Sequence, residues 1–146
     1  LVARHEMLRT TLDQEGEILY QSLQESPSSD FQEWSWFAHH DLRALTWEAA
    51  NVESQKMFRK DTQRGFDLAK GVLRCKVVSL PLPARRTTTN DTGSDLLLFV
   101  NVHHVAFDGL SMLPFERDLW QLSVGARLEE PRCQYADFTA WQRQWL

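Results

Sequence analysis

The chain has 146 residues, of which 42% are hydrophobic and 25% charged, a composition that excludes a disordered or collagen-like protein. Sixteen basic against twenty acidic residues give a net charge of −4, so the basic footprint of a nucleic-acid-binding domain is missing, and no apolar run approaches the roughly 20 residues that span a bilayer. The two cysteines, Cys75 and Cys133, are too few for a disulfide framework and lack metal-ligand spacing. We therefore expect a cytoplasmic protein without a metal, a nucleic-acid partner or a membrane.

The first third of the chain predicts a helix end, a β-hairpin and a further strand. Residues 1–7 read as the last turns of a helix, and residues 8–12 and 17–23 are two strand-like runs. Between these runs, residues 13–16 begin with Asp and end with Gly, which favours a turn. In residues 31–37 two tryptophans fall on one side of a two-residue period, which indicates a half-buried strand.

The rest of the chain alternates between helices and strands. A helix is predicted from Trp47 to about Arg64, with Thr46 as its N-cap and Gly65 at its end. The remaining elements are a strand over 72–80, a variable surface loop over about 81–94, a buried strand over 95–103, a core-facing helix over 110–122 and an aromatic-rich helix over 135–146. This mixture predicts the α/β class, with an α+β mixed sheet and flanking helices. Because the chain starts without an initiator Met in what reads as the last turns of a helix, and stops in an apolar helical pattern without a C-cap glycine, we expect a segment truncated at both ends.

The most informative stretch runs from Asn101 to Gly109, where a strand ends at the pair His103-His104 and a short turn leads to Asp108 and a helix. A histidine that a rigid scaffold holds at the end of a strand is well placed to exchange a proton near neutral pH. The competing interpretation is structural: the histidines pack in the core, and Asp108 caps the following helix. Residue spacing alone leaves both interpretations open.

Four stretches of the sequence, in this order, resemble motifs of the condensation domains of nonribosomal peptide synthetases. Arg4 to Thr10 resembles RHExLRTxF, residues 65–74 resemble PFDLxxGPLLR, His103 to Ser111 resembles HHxxxDGxS, and residues 135–142 resemble YxDFxxWQ. The departures are Leu12, where phenylalanine is usual, and Gly65 and Val72 in place of prolines. The resemblance covers essentially the whole chain, and the four motifs together are far more specific than any one of them.

The resemblance implies a chloramphenicol-acetyltransferase-like fold, in which two subdomains form a V around a tunnel that holds the active site. Residues 1–146 would be most of the N-terminal subdomain, and a C-terminal subdomain would supply the other wall. The family joins a carrier-bound acyl or peptidyl thioester to a carrier-bound aminoacyl amine, so the implied partners are upstream and downstream carrier domains and an adjacent adenylation domain. No cofactor is bound directly, because both substrates travel on the phosphopantetheine arms of the carriers.

The resemblance also assigns roles to single residues. His104 would be the catalytic residue, which orients the acceptor amine and accepts its proton, and His103 would support it. Asp108 would form a buried ion pair with an arginine, either Arg4 or Arg9, between which the sequence does not choose.

Two further expectations concern neighbouring or similar residues. Gly109, which lacks a Cβ, would let the acceptor arm or the backbone approach the catalytic histidine closely. The second histidine pair, His39-His40, lacks a following Asp-Gly, and we interpret it as surface or strand-edge residues without a catalytic role.

Two other functions remain open. One is a coenzyme A-dependent acyltransferase of the same fold, against which the first and last motifs argue. The other is a non-catalytic scaffold or carrier-docking module, which the intact HHxxxDG motif disfavours. Under the leading interpretation the isolated chain lacks half of the tunnel, so we expect it to be inactive and to self-associate through exposed apolar surface.

Overall fold

The computed structural model describes residues 1–27, 30, 34–82 and 95–146. These residues form two compact units, one made of Leu1–Ser29, Phe66–Leu73 and Val102–Leu146 and the other of Asp30–Gly65 and Arg74–Asn101. The regular elements, in chain order, are a 3-10 helix at Glu6–Arg9, β1 at Thr10–Glu15, β2 at Ile18–Leu23, β3 at Phe37–Asp41, α1 at Trp47–Thr62, β4 at Leu73–Leu80, β5 at Asp95–Val102, α2 at Met112–Ser123 and α3 at Tyr135–Gln142. The predicted mixture of helices and sheet is confirmed.

The first unit contains the predicted β-hairpin. Strands β1 and β2 are antiparallel, and their last pair, Glu15 with Ile18, leaves a two-residue turn. Gly16 in that turn has a φ of 60°, a conformation that costs other residues about 1–2 kcal/mol. The turn is therefore shorter and later than the predicted residues 13–16, because the positive φ fixes the reversal at the glycine.

The segment before β1 differs from the predicted helix end. Residues 1–4 form a turn, and only Glu6–Arg9 is helical, as a single 3-10 turn. His5 is in extended conformation immediately before this turn, and Thr10 after it is extended as well. The backbone therefore changes direction on both sides of Glu6–Arg9, which does not allow a continuous helix.

The second unit contains a sheet in which the described strands have the order β3-β4-β5. Strand β3 runs parallel to β4, with Phe37 opposite Cys75, and α1 lies between them in sequence. Parallel neighbours need such a crossover because a short turn only reverses the chain. The histidines 39 and 40 lie on β3 at one end of this strand order, as predicted for strand-edge residues.

Two predicted elements of this unit differ from the structure. Strand β3 begins at Phe37, whereas the prediction covered residues 31–37, of which 31–33 lie outside the described residues. Trp34 and Trp36 lie before the strand, and their rings stack with centroids 4.8 Å apart. The predicted loop over 81–94 is described only at residues 81 and 82, which have no regular structure.

The core of the second unit lies between α1 and the sheet. Its buried residues and the partly buried side chains against them are Ala50, Val78 and Leu80, with Leu42, Met57, Leu97 and Phe99. Strand β5 contributes only alternate residues, Leu97 and Phe99, to this core. Leu96 and Leu98 on its other face are 64% and 43% exposed. The prediction of a buried strand was therefore wrong for the face that carries Leu96 and Leu98.

Side chains cap both ends of α1. At the N-terminus, the Thr46 hydroxyl accepts a hydrogen bond from the Ala49 amide at 3.3 Å, as predicted. At the C-terminus, the Arg74 guanidinium donates to the carbonyls of Asp61, Arg64 and Gly65, each at 2.9 Å. The helix ends at Thr62, and Gly65 does not have the positive φ of a glycine cap, because the arginine satisfies these carbonyls instead.

Helix α2 does not bury the apolar stripe that its sequence predicts. Leu113 and Trp120 are 72% and 70% exposed, whereas the residue with no exposed surface is Asp118. Leu110, just before the helix, is 81% exposed.

Within the described part of the chain, no helix combines the length and the apolar character needed to cross a membrane.

Replacement of Thr46 by Ala removes the N-cap acceptor of α1 and should lower the free energy of unfolding by roughly 0.5–2 kcal/mol. Chemical denaturation followed by circular dichroism measures this loss. Thr46→Ser, which keeps the hydroxyl, is the matched control and should retain most of the stability. Equal losses in both variants would contradict the assignment of the cap.

Candidate active site

The first histidine of the pair is held by its backbone and by its ring. The His103 amide donates to the Val72 carbonyl at 2.8 Å, and the Ala106 amide donates to the His103 carbonyl at 3.0 Å, which closes a turn. On the side chain, Nδ1 accepts from the Val105 amide at 3.1 Å, and the Phe66 ring packs edge-on with centroids 5.6 Å apart. A neutral His103 ring therefore carries its proton on Nε2.

The second histidine has a different environment. His104 occupies the first central position of the turn that the His103 carbonyl closes, and its side chain is exposed. Among the described residues, no hydrogen bond or ion pair engages its imidazole. The structure thus fixes one imidazole of the pair and leaves the adjacent one exposed to solvent.

The motif at residues 65–74 supplies two of the contacts that hold His103. Phe66 provides the ring contact and Val72 provides the carbonyl that accepts the His103 amide. The Leu68 carbonyl of the same stretch accepts a hydrogen bond from the Leu12 amide at 2.9 Å, which connects it to β1. The motif at residues 65–74 and the motif that begins at His103, which are distant in the sequence, therefore meet at His103.

Asp108 is exposed and does not form the predicted buried ion pair. Its Oδ1 accepts hydrogen bonds from the Ser111 amide at 2.9 Å and from the Ser111 hydroxyl at 2.7 Å. These bonds from Ser111 lower the pKa of Asp108 below its usual value. The expectation that it pairs with Arg4 or Arg9 was wrong, because the carboxylate turns back onto the loop before α2.

A carboxylate that is fully buried in the first unit is Asp118, whose side chain is 0% exposed. Its Oδ2 accepts from Arg4 Nε at 2.9 Å and lies 3.0 Å from His5 Nε2, and its Oδ1 accepts from Arg117 Nε at 2.9 Å. Burial acts to raise the pKa of Asp118, but the hydrogen bonds from Arg117, Arg4 and His5 outweigh it and lower the pKa to about 2. Arg4, one of the two arginines expected to pair with Asp108, pairs with Asp118 instead.

Arg9 does not take part in this network. Its guanidinium lies 3.4 Å from Glu6 Oε1 and also donates to the Gln24 carbonyl beside the hairpin. The pairing of Arg9 with Glu6 is an interaction within the 3-10 turn, so this arginine stabilises the local backbone.

A periodicity signal would have found Asp118. Counted from Phe115, helix α2 places positions 115, 118, 119 and 122 on one side at the spacing of a helix face, and Asp118 is the charged residue among them. A charge on an otherwise apolar face requires a buried partner. Gln134, also missed, connects the start of α3 to the same segment, because its side chain donates to the Arg4 carbonyl at 2.9 Å and accepts from the Glu6 amide at 3.3 Å.

Three of the four motifs line a pocket of about 340 Å³ in the first unit. The residues around it are His5, Glu6, Met7, Leu8, Ala106, Phe107, Ser111, Pro114, Phe115, Pro131, Cys133, Gln134 and Tyr135. Most of the surface that these residues present to the pocket is apolar. Near the pocket, a Cβ on Gly109 would meet no described atom within 4 Å. Among the described residues there is no group of three His, Cys, Asp or Glu side chains that could hold a metal ion.

The whole chain, residues 1–146, matches the sequence model of a family described as the condensation domain. The phosphinothricin tripeptide synthetase PhsC of Streptomyces viridochromogenes is 35% identical over 153 aligned positions, which cover 100% of this chain and 12% of that protein. Tyrocidine synthase 2 of Brevibacillus parabrevis is 29% identical over 98% of this chain and 3% of its own length. The chain thus spans a small part of the curated relatives that it matches.

Solved structures agree on the fold. A structure described as the molecular basis for condensation domain-mediated chain release from the enacyloxin polyketide synthase has a TM-score of 0.70 at 24% identity, covering 99% of this chain and 26% of that one. The X-domain in complex with OxyB from teicoplanin biosynthesis has a TM-score of 0.69 at 23% identity, covering 98% and 28%. The fold is thus the chloramphenicol-acetyltransferase-like fold that condensation domains share.

Replacement of Asp118 by Ala should reduce the free energy of unfolding by roughly 3 kcal/mol or more, because it leaves the largely buried Arg4 guanidinium without its carboxylate. Asp108→Ala is the matched control and should cost much less, since only hydrogen bonds within an exposed loop are lost. Urea denaturation compares the two variants. A loss of stability from Asp108→Ala as large as that from Asp118→Ala would contradict this account and would support the buried ion pair first expected at Asp108.

The Asp118 network also predicts an acid-dependent loss of stability. Below the ordinary aspartate pKa of 3.8 the unfolded chain takes up a proton at this residue, whereas the folded chain stays ionised until pH falls to about 2. The unfolded state then binds more protons, so the stability from Asp118 is present above pH 3.8 and is lost as pH falls toward 2. Unfolding free energies at several pH values should show the difference between the wild type and Asp118→Asn shrink across this window. A constant difference would contradict it.

Proposed function

The chain belongs to the condensation-domain family, and from this premise we propose that it forms amide bonds in nonribosomal peptide biosynthesis. The family match over the whole chain and the similarity to the tripeptide synthetase and to tyrocidine synthase 2 support this function. Because the chain spans 12% and 3% of these two relatives, we propose that it works within a multidomain protein, as most of an N-terminal condensation subdomain. Its partners would be a C-terminal subdomain, carrier domains on both sides and an adenylation domain.

The proposed reaction joins an amine to a thioester. The amine nitrogen of the acceptor attacks the thioester carbonyl of the donor, a C–N bond forms, the C–S bond breaks, and the proton that the amine loses ends on the released thiol. A thioester is already activated, so no covalent acyl-enzyme is needed. With both substrates tethered on phosphopantetheine arms, high effective concentration and orientation supply much of the rate.

His104 is the proposed catalytic residue. Its neutral imidazole accepts a hydrogen bond from the acceptor amine, which orients the nitrogen, and takes its proton as the amide forms; a positioned base of this kind contributes roughly 10²–10⁴ in rate. The observation that carries the proposal is the contrast within the pair: His103 is held by Val72, Val105 and Phe66, while His104 is exposed and unengaged among the described residues.

The neighbouring residues have supporting roles in this proposal. His103 keeps the turn in place through its amide and its Nδ1. Asp108 and Ser111, through their mutual hydrogen bonds, order the loop that connects the histidines to α2. Both roles act on the position of His104 and not on the reacting atoms.

A docking function is the second candidate. The fold is shared with an X-domain that was solved in complex with OxyB, and α2 exposes Leu113 and Trp120 on its surface. Under this alternative the full-length protein would bind its partner but show no His104-dependent turnover. A coenzyme A-dependent acyltransferase would instead accept coenzyme A thioesters as readily as carrier-bound ones.

His104→Ala in the full-length protein, supplied with carrier-loaded donor and acceptor, should lower the single-turnover rate of amide formation by roughly 10²–10⁴, because the proton acceptor is lost. Mass spectrometry of the carrier-bound product measures the rate. His39→Ala on β3 is the matched control and should react at the wild-type rate. A His104→Ala variant that is equally stable and reacts at the wild-type rate would refute the catalytic assignment.

Gly109→Ala tests the close approach expected at this position. A Cβ there meets no described atom, and the φ of Gly109 is not positive, so stability should change by no more than about 0.5 kcal/mol. If the acceptor arm passes over the glycine, amide formation slows while the melting temperature stays the same. Gly65→Ala, equally unobstructed, should affect neither. Unchanged kinetics in Gly109→Ala would show that no substrate group approaches this carbon.

A further inference from the structure

A second pocket, of about 420 Å³, lies in the second unit between the C-terminal half of α1 and strands β3 and β4. The charged residues around it are Glu53, Lys56, Lys60, Asp61, Arg64 and Lys76. Four cations therefore face two carboxylates, although the chain as a whole carries a net charge of −4. This local excess of positive charge is the opposite of the overall balance.

Both carboxylates of the pocket are already paired. Asp61 is buried and accepts from Lys76 Nζ at 2.5 Å and from Asn101 Nδ2 at 2.7 Å. Burial acts to raise the pKa of Asp61, but these hydrogen bonds outweigh it and hold the pKa below its usual value, so the carboxylate stays charged and matched. Glu53 lies 3.2 Å from Lys56 Nζ.

Two of the cations that line the pocket have no paired side chain among the described residues. In the described stretches of the chain, the side chains of Lys60 and Arg64 form no ion pair or hydrogen bond, and both are exposed. Lys60 lies one helical turn after Lys56 on α1, and Arg64 lies two residues beyond the end of the helix at Thr62. All three line the pocket, so an anion there would meet the unpaired donors of Lys60 and Arg64.

The carbonyl groups at the end of α1 do not oppose an anion here. A helix C-terminus carries a partial negative charge that disfavours anions. The Arg74 guanidinium, however, donates to the carbonyls of Asp61, Arg64 and Gly65 at this end. The repulsion expected from free carbonyls is thus offset by a fixed positive group.

We propose that this pocket binds a phosphate group, as the free anion or as a phosphate monoester, through Lys60 and Arg64. The planar guanidinium matches two phosphate oxygens at once, and the ammonium adds a point charge on the remaining side. The pocket is concave and large enough for one such group. The proposal is independent of amide-bond formation, because no residue of the candidate active site takes part in it.

Residue-resolved lysine labelling of the full-length protein tests this site. An amine-acylating reagent is applied with inorganic phosphate, with glycerol 3-phosphate, or with sodium chloride at equal ionic strength, and mass spectrometry gives the labelling rate of each lysine. At a ligand concentration ten times the dissociation constant, labelling of Lys60 should fall to about a tenth. Lys70, which is 83% exposed and pairs with Asp67, is the internal control and should not change.

Variants link the protection to the pocket. Arg64→Gln should weaken the protection of Lys60, whereas Arg43→Gln, which alters an exposed arginine paired with Asp41, should not. Stronger protection by glycerol 3-phosphate than by phosphate assigns an esterified ligand, and the reverse assigns the free anion. The proposal is overturned if Lys60 is labelled equally in all three solutions, or if Lys70 is protected to the same extent.

Discussion

The hydrogen bond from the His103 amide to the Val72 carbonyl is the constraint on which the candidate active site depends. It fixes the backbone at the point where β5 ends, and the contact of Phe66 with the His103 ring fixes the side chain beside it. The turn that follows then exposes the next residue, His104. The two adjacent histidines therefore differ in environment: His103 is held at the turn, and His104 is exposed, as the proposed proton transfer requires.

A buried ion pair gives the surrounding segments their arrangement. Asp118 on α2 engages Arg4 and His5, and Gln134 at the start of α3 bonds to the backbone of the same N-terminal segment. A buried pair of this kind adds little net stability compared with apolar packing, but it strongly penalises alternative arrangements, since each leaves an unpaired charge. Arg4 and His5, which belong to the stretch that resembles the first family motif, thus contact Asp118 and hold these segments together.

Local signals in the sequence predicted local structure well. The hairpin, the N-cap of α1 at Thr46 and the course of β4 follow from turn chemistry, capping and alternation, which act over a few residues. The partner of Arg4 was missed because the expectation followed the motif resemblance to Asp108, although the helical periodicity of α2 marks Asp118 as the carboxylate on an apolar face. The exposure of Trp120 on α2 likewise depends on what covers the helix, which periodicity does not reveal.

The central claim is that the free imidazole of His104, and not the held imidazole of His103, carries the reaction. Diethyl pyrocarbonate modifies accessible imidazoles, and fragmentation mass spectrometry distinguishes the two adjacent histidines. In the full-length protein, His104 should be modified first, and the loss of amide-forming activity should follow its modification in proportion. Full activity after complete modification of His104, or a loss that follows His103 instead, would contradict the account.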